Sequence, residues 1–203
     1  MSATVQVGIA ENDTLSLTFP QMQRMSDDEF YEFCSRNENW RIEMTRGGQI
    51  IIMPNTGGKT GDRNSEINFQ LRSWSKQNRC GAVFDSSTTF RLPSGAKRSP
   101  DAAWIANEKW NNLTDDEKEK FPPVCPDFVI ELRSRTDSLK VLQAKMREYL
   151  DNGAQLGWLI DPSKRKVYLY RPQSEIEILN NPQAVSGDPL LPGFVLDLND
   201  IWN

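Results

Sequence analysis

The stretch PDFVIELRSRT, Pro126 to Thr136, constrains the chain more than any other. Its alternation puts Phe128, Ile130 and Leu132 on one face of a strand and Asp127, Val129, Glu131 and Arg133 on the other. One face packs and the other carries charge, so a glutamate at the end of so apolar a strand needs a reason. Glu131 reads either as a strand-end carboxylate paired to Arg133 or Arg135, or as a functional acid. Asp127 and Glu131 lie about 13 Å apart along a strand, at roughly 3.3 Å per residue, and cannot hold one metal ion between them. An aspartate at the matching level of a neighbouring strand would be only about 5 Å away. Asp101, opening the strand PDAAWI, is the first choice of partner for Glu131, and Asp85 in the preceding strand the second. Taken alone, Asp101 also reads as a turn aspartate after Pro100.

The rest of the chain supplies elements around that strand. Ser26 is placed to cap a short helix carrying Phe30, Phe33 and Cys34. WRIEMTRGGQIIIMP predicts two strands joined at Gly47-Gly48, and NTGGKTGDRN a glycine-rich loop. SEINFQLRSWSKQNR predicts a helix of about 4 turns. AVFDSSTTFRL has strand composition, PSGAKRS reads as a turn, and PDAAWIA as a short strand. Between Asn107 and Cys125 lies an insertion with a small acidic helix, capped by Thr114 or Asp115 and stopped by Pro122-Pro123. Asp137 or Ser138 caps a helix over LKVLQAKMREYLDNG that Gly153 closes. LGWLIDP and KVYLYRP follow as strands around a turn, and LPGFVLDLNDIW predicts a strand and a closing segment. The fold class is α/β or α+β, with a mixed sheet, one helix before its central strands and one after.

Composition narrows the chemistry. With 203 residues, 37% of them hydrophobic and six tryptophans, the chain can bury the core of one domain, with or without appendages. No apolar run approaches the roughly 20 residues of a membrane span, and the N-terminus lacks the features of a signal peptide, so a cytoplasmic protein is expected. Cys34, Cys80 and Cys125 are widely spaced and outside any CxxC pattern, which suggests neither a disulfide framework nor a zinc site. The chain has no histidine at all. That removes His-dependent triads, HExxH metalloproteases and His-metal nucleases together. Any chemistry must rest on carboxylates, lysines or hydroxyls, with a hard cation such as magnesium as the natural helper.

On the helix after Ser138, at 100° per residue, Leu139, Leu142, Met146, Tyr149 and Leu150 fall in one apolar arc. Lys145 sits just beyond its edge, beside Leu142 and Tyr149, from where its amine can reach the strand ends. Lys140 falls on the solvent side. A boundary lysine of this kind also reads as a snorkelling side chain.

SPDAAWI, PDFVIELRS, KMREYLDNGAQLGWLIDP and KVYLYRP, in this order, resemble the Uma family of restriction endonuclease-like proteins, abundant in cyanobacteria, within the PD-(D/E)XK nuclease superfamily. The likeness runs from about Met25 to near the end, with residues 1–24 as an N-terminal extension and 25–203 as a single nuclease-like domain. It implies a restriction-endonuclease-like core with an N-terminal β-hairpin extension. By resemblance Asp101 and Glu131 bind magnesium or manganese, with the Leu132 carbonyl as a further ligand. The superfamily lysine stands two residues after the acid, where this chain has Arg133. Arginine stays protonated and cannot readily accept a proton, so the lysine role passes by resemblance to Lys145. Glu66 on the first core helix and Glu43 in the hairpin are additional acids that the resemblance suggests.

The implied activity is metal-dependent hydrolysis of DNA phosphodiesters by a homodimer. The competing reading is a catalytically inactive DNA-binding or scaffold protein on the same fold, with Arg133 as the mark of decay. Gly58-Lys59-Thr60 mimics the end of a phosphate-binding loop, but Met53 stands where the Walker pattern needs glycine, and nucleotide binding is rejected. Lys59, Arg63, Lys97 and Arg98 are candidates for contacts to a DNA backbone, or else solvated loop residues.

Overall fold

The computed structural model describes residues 6–9, 15–18 and 25–203. The expected extension over residues 1–24 therefore lies largely outside the described residues. Two strands within it, β1 (Gln6–Ile9) and β2 (Leu15–Thr18), pair antiparallel, and β2 joins the sheet that follows.

Helix α1 (Asp27–Arg36) starts as its sequence dictates. The Ser26 hydroxyl accepts from the Glu29 N–H and the Glu29 carboxylate accepts from the Ser26 N–H, a reciprocal capping box. Strands β3 (Arg41–Met44) and β4 (Ile50–Met53) form the expected hairpin, with Gly48 at φ 83° in the turn. The next helix, α2 (Gly58–Asn78), starts inside the stretch expected to be a loop. Each helical glycine costs about 1 kcal/mol relative to alanine. Tertiary contacts hold the first turns in spite of that: the Arg63 guanidinium donates to the Asn203 backbone carbonyl at 2.8 Å, and Asn68 donates to the Asp101 carbonyl at 3.0 Å.

AVFDSSTTFRL, read as one strand, is two. Strand β5 (Gly81–Asp85) ends where the Asp85 carboxylate takes the Ser87 N–H, and β6 (Phe90–Arg91) then pairs with β7 (Lys97–Arg98) in the other sheet. PSGAKRS is thus a turn only as far as Ala96. Strand β8 (Ala102–Ala106) runs into the insertion, which holds α3 (Asn107–Asn111) as well as the expected acidic helix α4 (Asp115–Glu119), capped by Thr114. Then come β9 (Phe128–Leu132), α5 (Leu139–Asp151), β10 (Leu156–Asp161), β11 (Lys166–Tyr170), β12 (Glu177–Asn180), β13 (Ala184–Ser186), β14 (Val195–Asp197) and α6 (Asn199–Trp202).

The strands form a sheet ordered β1-β2-β4-β3-β7-β6, a central sheet ordered β12-β11-β10-β9-β8-β5, and the pair β13-β14. In the central sheet β9 and β10 are parallel, joined by the α5 crossover, and the other pairings are antiparallel. Helix α2 covers one face, where Ile67, Leu71 and Trp74 pack with Phe128, Ile130 and Leu132. Helix α5 covers the other, where Met146 and Tyr149 pack with Val129, Ala103 and Leu159. Both faces of β9 are therefore covered, and all five of its residues, Glu131 among them, are buried. Among the described residues no helix is long and apolar enough to cross a membrane.

Candidate active site

The link Ser99-Pro100-Asp101 carries the chain from β7 in one sheet to β8 in the other, so Asp101 sits at the seam between them. Its level is fixed by pairing: Ala102 lies opposite Ile130, and one step further the antiparallel register sets Asp101 opposite Glu131. The Asp101 Oδ2 accepts the Leu132 N–H at 2.9 Å. Its Oδ1 faces the Arg41 guanidinium at 3.6 Å and the Asn64 amide at 3.5 Å, both longer than a strong charged contact.

Glu131 points to the α5 side. Its Oε1 receives the Lys145 ammonium at 2.8 Å and the Tyr149 hydroxyl at 3.0 Å, two residues one helical turn apart. Among the described residues its Oε2 takes no protein hydrogen bond. Lys145 also meets Glu43 Oε1 at 2.8 Å, and so ties β3 in one sheet to β9 in the other. Glu43 is held in addition by Arg98, at 2.9 Å, and by the Ser99 N–H. Arg98 reaches on to the half-buried Glu148, which closes a chain of alternating charge.

Burial governs how these groups titrate. It pushes Glu131 upward; Lys145 opposes the shift, Asp101 and Glu43 reinforce it, and the carboxyl comes to about 7. Burial also raises Asp101, with Arg41 and the Leu132 N–H offsetting only part of the effect. For Glu43 the cost of burial is outweighed by Lys145 and Arg98, and its carboxyl falls to about 2. Lys145 is disfavoured as a cation by burial, but Glu131 and Glu43 overcome this and raise it, so the amine stays protonated. Burial, with Glu131 and Glu43 beside it, likewise keeps the Tyr149 hydroxyl protonated as a donor.

Of the residues singled out from sequence, Asp101, Glu131, Lys145, Glu43 and the Leu132 backbone are brought together. Glu66 is not: it accepts from Gln70 and lines a separate pocket with Lys59, Asp62, Asp200 and Asn203. Arg133 turns away to Asp161 Oδ2 at 2.6 Å and to the Asp137 carbonyl. Asp127 is occupied by the Ala106 N–H and Lys109, and Asp85 by its own turn. Lys97 and Arg98, considered for backbone contacts, are buried in ion pairs with Asp27 and with Glu43 and Glu148. Tyr149, Arg41, Asn64 and Asn68 were missed. Arg41 carried a signal, since it shares the face of Glu43 two residues on. Tyr149 had one as well, one turn beyond Lys145, although its apolar arc pointed to the core.

Asp101, at the entrance to β8, and Glu131, on β9, are both held above the ordinary carboxylate range by burial, which outweighs the cation beside each. Among the described residues no three acidic or cysteine side chains converge on one point. Asp101 and Glu131 are the two acids here that could hold a hard divalent cation, which takes oxygen ligands and keeps other positions for water.

The mixed central sheet with a helix on each face has the restriction-endonuclease-like fold. The family model Uma2, described as "Putative restriction endonuclease", matches residues 27–199, and the chain belongs to that family. A crystal structure described as a putative nuclease belonging to DUF820, from Anabaena variabilis ATCC 29413, is similar, with a TM-score of 0.68 and 27% sequence identity. The match covers 79% of this chain and 89% of that one. A search of curated proteins finds no match.

Proposed function

We propose that the protein is a divalent-metal-dependent DNA endonuclease of PD-(D/E)XK type, hydrolysing phosphodiester bonds with Asp101 and Glu131 as ligands for magnesium or manganese. The observation that carries this reading is the buried pair Asp101 and Glu131 in facing register, with the Lys145 amine 2.8 Å from Glu131. When bound, the cation polarises the phosphoryl oxygen and lowers the pKa of a water. The chain's own residues do the rest. Lys145, kept protonated by the carboxylates beside it, offsets the negative charge that develops on the phosphoryl group and orients the attacking water by donation. Tyr149 and Glu43 fix where that amine stands. The Leu132 N–H orients Asp101, and the Leu132 carbonyl is a further ligand in this reading. Two copies, each cutting one strand, complete it.

Incubation with supercoiled plasmid tests the proposal. Nicking with magnesium or manganese is expected, with none in EDTA and none from Asp101→Asn. Lys145→Met is expected to slow the reaction by about 100-fold or more while the metal still binds. Nicking that survives EDTA and Asp101→Asn would come from another protein. Arg133 favours a second reading, an inactive DNA-binding or scaffold protein, because it occupies the usual lysine position. Absence of nicking with any divalent metal would establish that reading over the first.

A further inference from the structure

Beside Asp101 opens a cleft of about 730 Å³. Asn64, Asn68, Phe69 and Arg72 of α2 line it, together with Arg41 and the turn after β5 at Ser86-Ser87. The α2 stripe from Gly61 to Arg72 runs about 16 Å at 1.5 Å per residue. Three of these side chains, Arg41, Asn64 and Asn68, also touch Asp101, so the cleft leads to that acid.

Two features of the cleft are unspent within the protein. Phe69 is 65% exposed, a large apolar ring on a helix whose other aromatic, Trp74, is buried. The Arg41 Nε and the Asn64 Oδ1 are buried and find no partner among the described residues. A buried donor and a buried acceptor without partners cost free energy unless a ligand satisfies them. The charges that line the cleft suit an anion: Arg41 and Arg72 stand against Asp85 alone, although the formal total of the chain is −4.

Intact duplex presents phosphate and sugar on its outside and keeps its base faces stacked on one another, so an exposed phenyl ring reaches a base face there only at the cost of prising a step apart. Unpaired bases offer a π-face to any aromatic side chain, and arginines beside the ring track the backbone. We infer that the cleft binds a single-stranded segment of nucleic acid, with a base stacked on Phe69 and the backbone drawn to Arg72 and Arg41, and feeds that segment toward Asp101. At 3.4 Å per stacked nucleotide the stripe accommodates about four to five. The inference rests on the reading of Asp101 and Glu131 as the cleavage centre, and gives that centre a substrate class: DNA with an unpaired stretch.

The test is fluorescence anisotropy of the full-length protein in EDTA, with a labelled single strand and a blunt duplex of the same sequence. Phe69→Ala is expected to weaken the single strand about 10-fold and leave the duplex unchanged, and Phe69→Trp to restore the single strand. Phe69 is exposed, so thermal melting of both variants should match the parent. Unchanged single-strand affinity in Phe69→Ala, or equal losses on both ligands, would overturn the inference. The two readings fail separately. Plasmid nicking with Phe69-independent binding removes the cleft, whereas Phe69-dependent binding without nicking under any metal removes catalysis alone.

Discussion

Glu131 is held in its present environment at a cost that depends on pH. Its folded pKa is about 7 and the ordinary value 4.5, so between those values the folded state holds more protons than the unfolded one. The contribution of the neutral group is fully present below about pH 4.5 and is lost as the pH rises through about 7. Glu131→Gln keeps the shape and removes the charge. In EDTA the variant is expected to match the parent near pH 5 and to exceed it at pH 8, by up to about 3 kcal/mol at 1.36 kcal/mol per unit. Urea melts at the two pH values measure this, and a variant less stable than the parent at pH 8 would mean that the Lys145 contact outweighs burial. Glu43 runs the other way, since its depressed carboxyl stabilises the fold above about pH 4.5 and loses that effect as the pH falls toward 2. Arg133 belongs to neither group. Its partner Asp161 is buried and keeps only the Ser163 hydroxyl and the Lys164 N–H when the cation is removed, so Arg133→Gln should destabilise by about 1–3 kcal/mol. Plasmid nicking by the folded variant should be unaffected, which separates a structural arginine from one that replaces the missing lysine.

At the level of elements, the strands and helices that announced themselves are those whose own residues determine them. The β9 alternation, the Ser26 cap and the Gly48 turn were legible because each depends on a few neighbouring positions. The start of α2 and the split of β5 from β6 were not, because distant contacts decide them: Asn203 and Asp101 for the helix, pairing with β7 for the strand. Close approaches between elements were equally invisible. A Cβ on Gly81 would stand 2.3 Å from the Ile105 carbonyl oxygen and 2.4 Å from the Trp104 indole nitrogen, where β5 meets β8. A Cβ on Gly157 would stand 2.4 Å from the Met146 methyl, the free end of a flexible side chain. Gly81→Ala must therefore move backbone, and is expected to cost about 3 kcal/mol, at the upper end of overpacking. Gly157→Ala, which only displaces Met146, should cost about 1 kcal/mol. Denaturant midpoints at constant slope measure the difference, and equal losses would show that α5 is as rigidly seated on the sheet as β5 is on β8.

In the whole molecule the site occupies the seam of two sheets. Glu43 comes from one, Glu131 from the other, Asp101 from the link between them, and Lys145 bridges the two from α5. Sequence reasoning could pair Asp101 with Glu131 because strand register is a local rule extended by one neighbour. It could not reveal that Arg98 would be spent on Glu43 and Glu148, because that depends on how the sheets face each other. Such a seam should respond as a unit to a cation. If Asp101 and Glu131 share a divalent ion, binding requires both to be ionised, and since both are held above their ordinary range it must release protons. Affinity should then rise with pH up to about 7 and level off above it. A ligand that binds only the folded state stabilises it by RT ln(1 + [L]/Kd), about 2.7 kcal/mol at a concentration of 100 Kd. For a chain of this length that amounts to a rise of roughly 5–10 °C in Tm. Manganese is expected to produce such a rise at about pH 8, little at about pH 5.5, and none at either pH in Asp101→Asn. A rise that is independent of pH, or that persists in Asp101→Asn, would assign the cation to other carboxylates, such as Asp62, Glu66 and Asp200, which line a separate pocket.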